Sequence, residues 1–350
     1  MKRRTCLAGT LAVAARLAVP GGAVALAGCG SSGAKATPTR FSGPTMGTAY
    51  RVSLAETLSP EETGTLRAAV EAALARVDGL MSTYRPETEL SRFNAAPAGE
   101  WIEVAPDTAL VIEESLRTAS LSGGAFDATV GPLVDLWGFG PGSGRGVPSD
   151  EAIADASALT GLDAFRFDRA GRAVTKSRPG LRVDLSGVAK GHAVDLVAAD
   201  LESRGFDRYL IDVGGELKAR GRKADGSPWR IGIERPLPGA RQVHAVAVLE
   251  NETVATSGDY RNYFERDGRR YSHTIDPRTG RPVNHALASV SVIADRAMSA
   301  DAWSTAMMVM GPDEGLALAE RLGVPALFLF RGTDGLVQRA TRAFADRIVA

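Results

Sequence analysis

The chain has 350 residues, of which 44% are hydrophobic and 23% are charged, and its 41 basic and 41 acidic side chains cancel to a formal net charge of zero. This composition is typical of a globular protein with one large domain or two, and it excludes disorder as the dominant state. Because there is no basic excess, the charge also argues against nucleic acid as a partner. Both cysteines, Cys6 and Cys29, lie near the amino terminus, so the rest of the chain carries no disulfide, thiolate metal site or cysteine nucleophile.

Residues 1–28 have the layout of an export signal, with a basic start at Lys2–Arg4, an apolar stretch over Leu7–Leu26 and small residues after it. The sequence Leu-Ala-Gly-Cys that ends at Cys29 resembles a bacterial lipobox, which predicts that Cys29 becomes the lipidated first residue of the mature protein. A plain signal peptide with an incidental cysteine is the alternative. Arg16 interrupts the apolar stretch and argues against a membrane-spanning helix.

The segment 29–41 is rich in Gly, Ser, Ala and Thr, which predicts a flexible tether. We therefore expect an exported protein whose lipid holds it at a bacterial membrane, facing the periplasm or the cell exterior. A folded domain is expected over 42–345, and no segment in it is long and apolar enough to span a bilayer.

Hydrophobic periodicity predicts helices and strands in irregular alternation. Ser59 and Glu62 stand at capping-box spacing around Pro60, which predicts that a helix begins there. Because no regular βαβ period is present, the pattern favours an α+β fold over a doubly wound parallel sheet. The further predicted helices are Pro106–Leu121, Gly187–Arg204, Met298–Met310 and Glu314–Leu322; the predicted strands are Thr48–Leu54, Leu181–Leu185, Tyr209–Val213, Trp229–Ile233, His244–Leu249, Leu287–Ile293 and Ala326–Phe330, with a hairpin over 165–174.

The first segment with chemical potential is Gly123–Asp127, followed by the loop Gly131–Phe139. A helix is predicted to end at the two glycines, and the loop then offers backbone groups and the carboxylate of Asp127. Such a loop can hold the edge of a heterocycle by hydrogen bonds. The alternative is a helix C-cap followed by a packed aromatic loop.

The second segment is Val183–Gly191, in which a predicted strand, a small-residue turn and a helix start follow one another. A helix N-terminus attracts anions, and Lys190 adds a mobile positive charge. The spacing is not that of a P-loop. Lys190 as a solvated surface residue is the alternative, whereas Asp184, at the end of the strand, is expected to face the helix start.

The third segment contains His273, which precedes the Asp-Pro-x-x-Gly turn over Asp276–Gly280. This arrangement predicts that His273 lies at the end of a strand, where a ligand can reach it. Histidine is the side chain best suited to accept a proton near neutral pH. A packed histidine with no chemical role is the alternative.

The fourth segment, Met298–Ala306, contains Asp301 and Thr305, which share one face of the predicted helix because they are four residues apart. A carboxylate and a hydroxyl together suit Mg²⁺, which prefers oxygen ligands. The alternative is an N-cap aspartate and a threonine that bonds back to its own helix.

Eight short segments occur in one order along the chain and together resemble the ApbE family of FAD:protein FMN transferases. The resemblance spans residues 42–335 and implies an α+β, T-fold-like domain with mixed sheets, packed helices and an FAD site between subdomains. It further implies a reaction in which FAD is cut at its pyrophosphate, FMN is joined to a Thr or Ser hydroxyl of a target protein, AMP leaves and Mg²⁺ is required. The segments are 45–48, 81–86, 91–94, 124–127, 184–191, 212–216, 273–277 and 300–305.

The same resemblance assigns roles to residues. Asp301, Thr305 and a main-chain oxygen near Gly187, where the family often has Ala or Ser, are the implied Mg²⁺ ligands. His273 is the implied base that takes the proton from the acceptor hydroxyl, with Asp184 as the alternative. The implied FAD contacts are Met46, Tyr84, Ala125, Phe126, Asp127, Asp184, Lys190 and Ile275, and the ring of Tyr84 offers a face for adenine.

Two other functions stay open from the sequence. An FAD pyrophosphatase would use water as the nucleophile and release FMN and AMP, and an aromatic residue at Tyr84 argues for transfer instead. A lipoprotein that binds FAD without chemistry is the second alternative. The Asp301–Thr305 pair and Lys190 argue against it, because binding alone does not require a reactive metal.

Overall fold

The computed structural model describes residues 37–141, 144–237, 242–333 and 335–349, so the predicted export signal and Cys29 lie outside the described residues. The helices are α1 (Pro60–Met81), α2 (Glu89–Ala95), α3 (Pro106–Leu121), α4 (Gly131–Leu136), α5 (Asp150–Ser157), α6 (Ser186–Ser203), α7 (Ala297–Met310), α8 (Pro312–Leu322) and α9 (Arg342–Ala345). The strands are β1 (Thr39–Thr45), β2 (Thr48–Leu54), β3 (Ile102–Glu103), β4 (Phe165–Asp168), β5 (Ala173–Lys176), β6 (Tyr209–Val213), β7 (Glu216–Arg220), β8 (Trp229–Glu234), β9 (Val243–Leu249), β10 (Thr253–Gly258), β11 (Tyr263–Arg266), β12 (Arg269–Ser272), β13 (Ile275–Asp276), β14 (Arg281–Pro282), β15 (Leu287–Ala294), β16 (Ala326–Gly332), β17 (Gly335–Ala340) and β18 (Ile348–Val349).

An eight-stranded sheet, in the order β1-β2-β6-β7-β10-β15-β16-β17, forms the middle of three layers, and each pair of neighbours in it is antiparallel. Successive residues of a strand point to opposite faces. In β16, Ala326 and Phe328 therefore join the large core beneath the helices. Leu327 and Leu329 instead join a second core against the three-stranded sheet β18-β9-β8. Both faces of the sheet are covered, which explains its long apolar strands.

The packing of α6 against α7 sets the position of the site. At Gly191 in α6, a Cβ atom would lie 2.3 Å from the carbonyl oxygen of Ala297 in α7, so only glycine permits this approach of the two backbones. Asp195, one turn later, accepts hydrogen bonds from the main-chain nitrogens of Ala297 and Met298 and fixes the start of α7. Lys190 is thereby brought beside the buried first half of α7.

The α+β class is confirmed, and several elements have the predicted bounds. Both hydrogen bonds of the capping box between Ser59 and Glu62 are present at the start of α1, and α3, β2 and β6 begin and end at the predicted residues. The residues from Ala36 onward form one compact unit. Within the described ranges, this unit is not divided into separate subdomains.

The predicted strand Leu181–Leu185 is wrong. Only Arg182 makes a strand-like bridge, to Val130. The side chain of Asn94 takes both main-chain groups of Val183, at 2.7 and 2.9 Å, and the main-chain nitrogen of Asp184 donates to the oxygen of Ala128. These bonds replace a strand ladder and hold an extended loop that leads into α6.

The folded part is longer than the predicted range 42–345 at both ends. Strand β1 begins at Thr39, inside the predicted tether, and Phe41 is buried in the large core. Strand β18 lies beyond residue 345 and pairs with β9. Among the helices that the structure describes, none has the length and apolar character needed to cross a membrane.

Candidate active site

An ionic cluster of two buried carboxyl groups and a partly exposed lysine joins three elements of the fold. The Lys190 Nζ atom from α6 lies 3.0 Å from Oε1 of Glu216, the first residue of β7, and 3.3 Å from Oδ1 of Asp301 in α7. The second carboxylate oxygen of Asp301 accepts a hydrogen bond from the main-chain nitrogen of Gly191 at 3.0 Å. Lys190 is therefore not the solvated surface lysine that was the alternative.

The cluster sets the charge of its members. Burial disfavours the ammonium of Lys190, but the charges of Asp301 and Glu216 outweigh burial and raise its pKa. Burial raises the pKa of Glu216, and the ammonium of Lys190 counters that rise. Oε2 of Glu216 is buried without a hydrogen-bond partner among the described residues. Two carboxyl groups thus share one ammonium group.

Asp301 and Thr305 lie on one face of α7, as predicted, and Asp301 is inside the helix and buried, so it is not an N-cap. The hydroxyl of Thr305 is 3.3 Å from the Ser257 Oγ atom. A Cβ atom on Gly187 would lie 3.2 Å from the Thr305 Oγ1 atom, so the Gly187 backbone is adjacent. The Asp301 carboxylate, the Thr305 hydroxyl and the Gly187 backbone thus meet at the helix crossing.

This oxygen-rich set fits Mg²⁺ better than a softer metal, because Mg²⁺ takes one or two carboxylates and completes its shell with water or phosphate oxygens. In the described ranges, three or more His, Cys, Asp or Glu side chains do not gather into a metal-binding group. The fit therefore rests on Asp301 as the one carboxylate ligand.

Two hairpin turns meet beside the ionic cluster. Met46, one of the predicted FAD contacts, has a φ of 43° in the two-residue turn between β1 and β2. Gly214 has a φ of 67° in the turn between β6 and β7, and a Cβ atom there would lie 2.9 Å from the Thr48 side chain. The Met46 turn is therefore packed against the turn that leads into Glu216.

Tyr84 is 67% exposed, and its hydroxyl donates to the carbonyl oxygen of Phe139 at 2.7 Å. Burial of the hydroxyl, together with the negative charges of Asp184 and Asp135, raises the pKa of Tyr84. Asp184 accepts a hydrogen bond from the main-chain nitrogen of Ser186 at 2.8 Å, and so faces the start of α6 as expected. An anchored, exposed aromatic ring is suited to stack on a planar ligand.

Buried side chains and a main-chain hydrogen bond hold the Gly123–Asp127 loop in place. Ala125 and Phe126 are buried, and the main-chain nitrogen of Phe126 donates to the Ser122 hydroxyl at 3.1 Å. Phe126 also packs against the backbone of Gly187, so the structure brings this loop to the candidate metal ligands. Burial raises the pKa of Asp127, whose Oδ1 accepts two bonds from Thr129.

The buried side chain of Ile275 packs with a different set of residues. Its side chain belongs to a third hydrophobic cluster, which includes Leu133 and Trp137. The structure therefore supports Ala125, Phe126 and Ile275 as packing residues, and a contact of Ala125 or Ile275 with FAD would involve the main chain.

His273 follows β12, at the end of a strand as predicted, and both its main-chain nitrogen and its Nδ1 lie within 3.1 Å of the Asn262 carbonyl oxygen. A carbonyl only accepts hydrogen bonds, so Nδ1 carries the proton and Nε2 of the neutral ring keeps its lone pair. Burial lowers the pKa of His273 although the bond to Asn262 opposes this, and the charges of Lys190 and Arg145 lower it further. The ring is therefore neutral and able to accept a proton near pH 7.

Aromatic packing fixes the hairpin that carries His273. Phe264 and Tyr271 stack at 5.0 Å, Tyr271 stacks on Trp137 at 5.6 Å, and Phe139 meets the His273 ring edge-on at 6.3 Å. No sequence signal marks these partners, because they are distant along the chain and share no spacing pattern.

Arg145 and Glu216 are further members of the site that sequence reasoning missed. Arg145 donates to Asn262 Oδ1 at 3.0 Å and to the Tyr263 carbonyl at 3.1 Å, which braces the His273 loop. Glu216 does carry a signal, since it ends the segment 212–216 that contributed to the family resemblance, but no role was attached to it.

Comparisons with known proteins identify the family. A family model described as the ApbE family matches residues 46–328. The chain is 43% identical over 320 residues to an FAD:protein FMN transferase of Vibrio cholerae, covering 91% of this chain and 94% of that protein. It is 38% identical over 315 residues to the Escherichia coli K12 protein of the same name, covering 89% and 90%.

Solved structures match as well. The flavin transferase ApbE from Vibrio cholerae superposes with a TM-score of 0.81 at 41% identity, covering 89% of this chain and 99% of that one. The apo form of the flavinyl transferase ApbE from Pseudomonas stutzeri gives a TM-score of 0.81 at 45% identity, covering 90% and 98%. The chain therefore belongs to the ApbE family of FAD:protein FMN transferases.

Proposed function

We propose that this enzyme moves FMN from FAD to a threonine or serine hydroxyl of another protein, releases AMP and requires Mg²⁺. The observation that carries the proposal is the contact between the partly exposed Lys190 and the buried Asp301, on the helix that carries the Thr305 hydroxyl. An ammonium beside an oxygen-rich cation site is suited to the dense negative charge of a pyrophosphate.

The proposed step is an in-line displacement at the phosphorus of the FMN half. The acceptor hydroxyl oxygen forms a bond to that phosphorus, the bond to the bridging oxygen breaks, and AMP leaves with the bridging oxygen. The hydroxyl proton passes to Nε2 of His273, which is free to accept it because Nδ1 bonds to Asn262. Lys190 offsets the negative charge of the phosphate groups and holds them in place.

Asp301, Thr305 and the main-chain oxygen of Gly187 are the proposed Mg²⁺ ligands. When bound there, Mg²⁺ supplies neutralisation of the pyrophosphate charge and polarisation of the phosphorus. Tyr84 is the proposed stacking platform for a planar part of FAD, and Met46, Asp127 and Asp184 are proposed as further FAD contacts. Asp184 is the alternative base. Its Oδ1 already accepts a hydrogen bond from the Ser186 main-chain nitrogen, which favours His273 as the base.

The test is the intact mass of a candidate acceptor protein after incubation with enzyme, FAD and Mg²⁺, together with the amount of AMP released. Transfer predicts the added mass of FMN on the acceptor and an equal amount of AMP. AMP without added mass identifies an FAD pyrophosphatase, and neither product identifies a carrier. Either of the last two results contradicts the proposal.

We also propose that a lipid on Cys29 anchors the enzyme to a bacterial membrane outside the cytoplasm. The support is the lipobox-like sequence and the start of the fold at Thr39, which leaves a short spacer between lipid and domain. Firm attachment requires more than one acyl chain. Cys29→Ser should therefore leave the catalytic domain folded and active but move it out of the membrane fraction. Recovery of the variant in membranes at the wild-type level contradicts this.

A further inference from the structure

We propose that Glu216 is a positioning residue that holds the Lys190 ammonium and thereby leaves Asp301 available to a cation. This inference rests on the proposed function, because it assigns Asp301 to Mg²⁺ and Lys190 to phosphate. Glu216 is not itself placed in contact with either.

The backbone delivers Glu216 to this position in a fixed way. The turn before it contains Gly214 and Gly215, both with positive φ, and the main-chain nitrogen of Gly215 donates to Asp212 Oδ1 at 3.0 Å. The main-chain nitrogen of Gly214 donates to the Ala49 carbonyl, which ties the turn to β2. Glu216 then enters β7 only 3% exposed, so its carboxylate has little freedom to move away from Lys190.

The distances show which of the two carboxylates lies closer to the Lys190 ammonium. The Lys190 Nζ atom is 3.0 Å from Glu216 but 3.3 and 3.5 Å from the two oxygens of Asp301. Asp301 has a second donor in the Gly191 main chain, whereas one oxygen of Glu216 lacks any hydrogen-bond partner within the described part of the chain. Glu216 therefore depends on Lys190 more than Asp301 does.

In this arrangement, Lys190 and a cation compete for the Asp301 carboxylate. A lysine ammonium is a compact charge with three donors and can be shared between two carboxylates. If Glu216 loses its charge, Asp301 becomes the one remaining carboxylate of the cluster, and Lys190 binds it more tightly. A cation must then displace the ammonium from Asp301. Glu216 thus lowers the cost of exchanging Lys190 for Mg²⁺ at Asp301.

The first test is Mg²⁺ binding to the full-length enzyme by calorimetry without FAD, comparing wild type with Glu216→Gln. We expect the dissociation constant for Mg²⁺ to rise about tenfold. The matched control is Glu252→Gln, which removes the charge of another ion pair, with Arg347 at 2.7 Å on the other side of the large sheet. The control should bind Mg²⁺ like wild type. An unchanged affinity in Glu216→Gln overturns the proposal.

A double-mutant cycle with Lys190→Gln separates positioning from a direct or structural effect. If Glu216 acts through Lys190, Glu216→Gln should have no further effect on Mg²⁺ affinity once Lys190 is neutral. An equal loss in both backgrounds overturns the proposal, because Glu216 then acts on the cation or on the fold itself.

Two further measurements keep the test decisive. Glu216→Asp keeps the charge and should restore most of the Mg²⁺ affinity lost in Glu216→Gln, or in Glu216→Ala if the Gln variant does not fold; no recovery contradicts the proposal. The Mg²⁺ measurements do not require FMN transfer. A wild-type enzyme that binds Mg²⁺ but transfers no FMN would refute the proposed function while leaving the role of Glu216 measurable.

Discussion

The two ends of the site are built in different ways. The proposed phosphate end consists of Lys190, Glu216 and Asp301, which come from two helices and a strand and hold one another through their charges. The proposed acceptor end consists of His273 and its partner Asn262, which lie in loops beside a two-stranded sheet and depend on a single carbonyl and on aromatic packing.

This difference matches what each end must do. Charges that stabilise a transition state act best when they are already in place, because reorganisation at the moment of reaction is costly. A protein acceptor must instead enter from outside, so the base belongs on a loop that a rigid scaffold positions. We expect substitution of Asp301 at the phosphate end to cause the largest loss of FMN transfer, and substitution of His273 at the acceptor end to slow proton transfer selectively.

The largest effect is expected for Asp301→Asn. The amide keeps the bond from the Gly191 main chain but loses the charge that attracts a cation and pairs with Lys190. FMN transfer should fall by at least about 10³-fold. FAD binding should weaken but survive, as measured by flavin fluorescence titration. Transfer within tenfold of wild type at low Mg²⁺ would remove Asp301 from the metal site.

His273→Ala should be next in size and different in kind. Loss of a positioned base slows FMN transfer by roughly 10²–10⁴-fold. FAD affinity should stay near the wild-type value, because His273 is proposed to face the acceptor. A combined loss of melting temperature, FAD affinity and rate would instead identify His273 as a packing residue and make Asp184 the next candidate.

Gly191→Ala tests whether the helix crossing builds the phosphate end. The new Cβ atom would overlap the Ala297 carbonyl and push α6 from α7, which should lower the free energy of unfolding by about 2–3 kcal/mol. Gly64→Ala is the control, since Gly64 is an exposed position of α1 where a Cβ atom meets nothing, and the change should stabilise the protein by about 0.5–1 kcal/mol. Chemical denaturation measures both, and equal stabilities would contradict the tight crossing.

The smallest effect is expected for Tyr84→Phe, which keeps the ring but loses the bond to the Phe139 carbonyl. One neutral hydrogen bond corresponds to about a 2- to 10-fold change in FAD affinity. Tyr84→Ala also removes the stacking face and should weaken FAD binding further. If the two variants bind FAD equally well, stacking at Tyr84 is not part of recognition.

Local signals in the sequence predicted much of the scaffold. The Ser59–Glu62 capping box and the glycines after α3 fixed helix ends because caps act within a few residues. Leu181–Leu185 failed as a strand because Asn94, far away in sequence, takes the main-chain groups of Val183. A tertiary contact of this kind leaves no periodic pattern.

For the site, too, the sequence predicted what depends on local spacing and did not predict contacts between distant residues. Asp301 and Thr305 share a helix face by spacing alone, and α7 confirms that geometry. The contact between Lys190 and Asp301 depends on a helix crossing between residues more than a hundred positions apart. The role of Asn262 in fixing the His273 tautomer depends on a loop carbonyl, which every residue has and no sequence pattern marks.

The most direct test of the roles proposed for the two ends of the site is the pH dependence of FMN transfer, followed as FMN mass on the acceptor protein. The base must be neutral, so the rate should rise with pH through the pKa of His273, and burial places that inflection below the ordinary value of 6.5. In His273→Ala the remaining slow transfer should lack this inflection. Transfer by His273→Ala at the wild-type rate with the same pH profile would contradict the account.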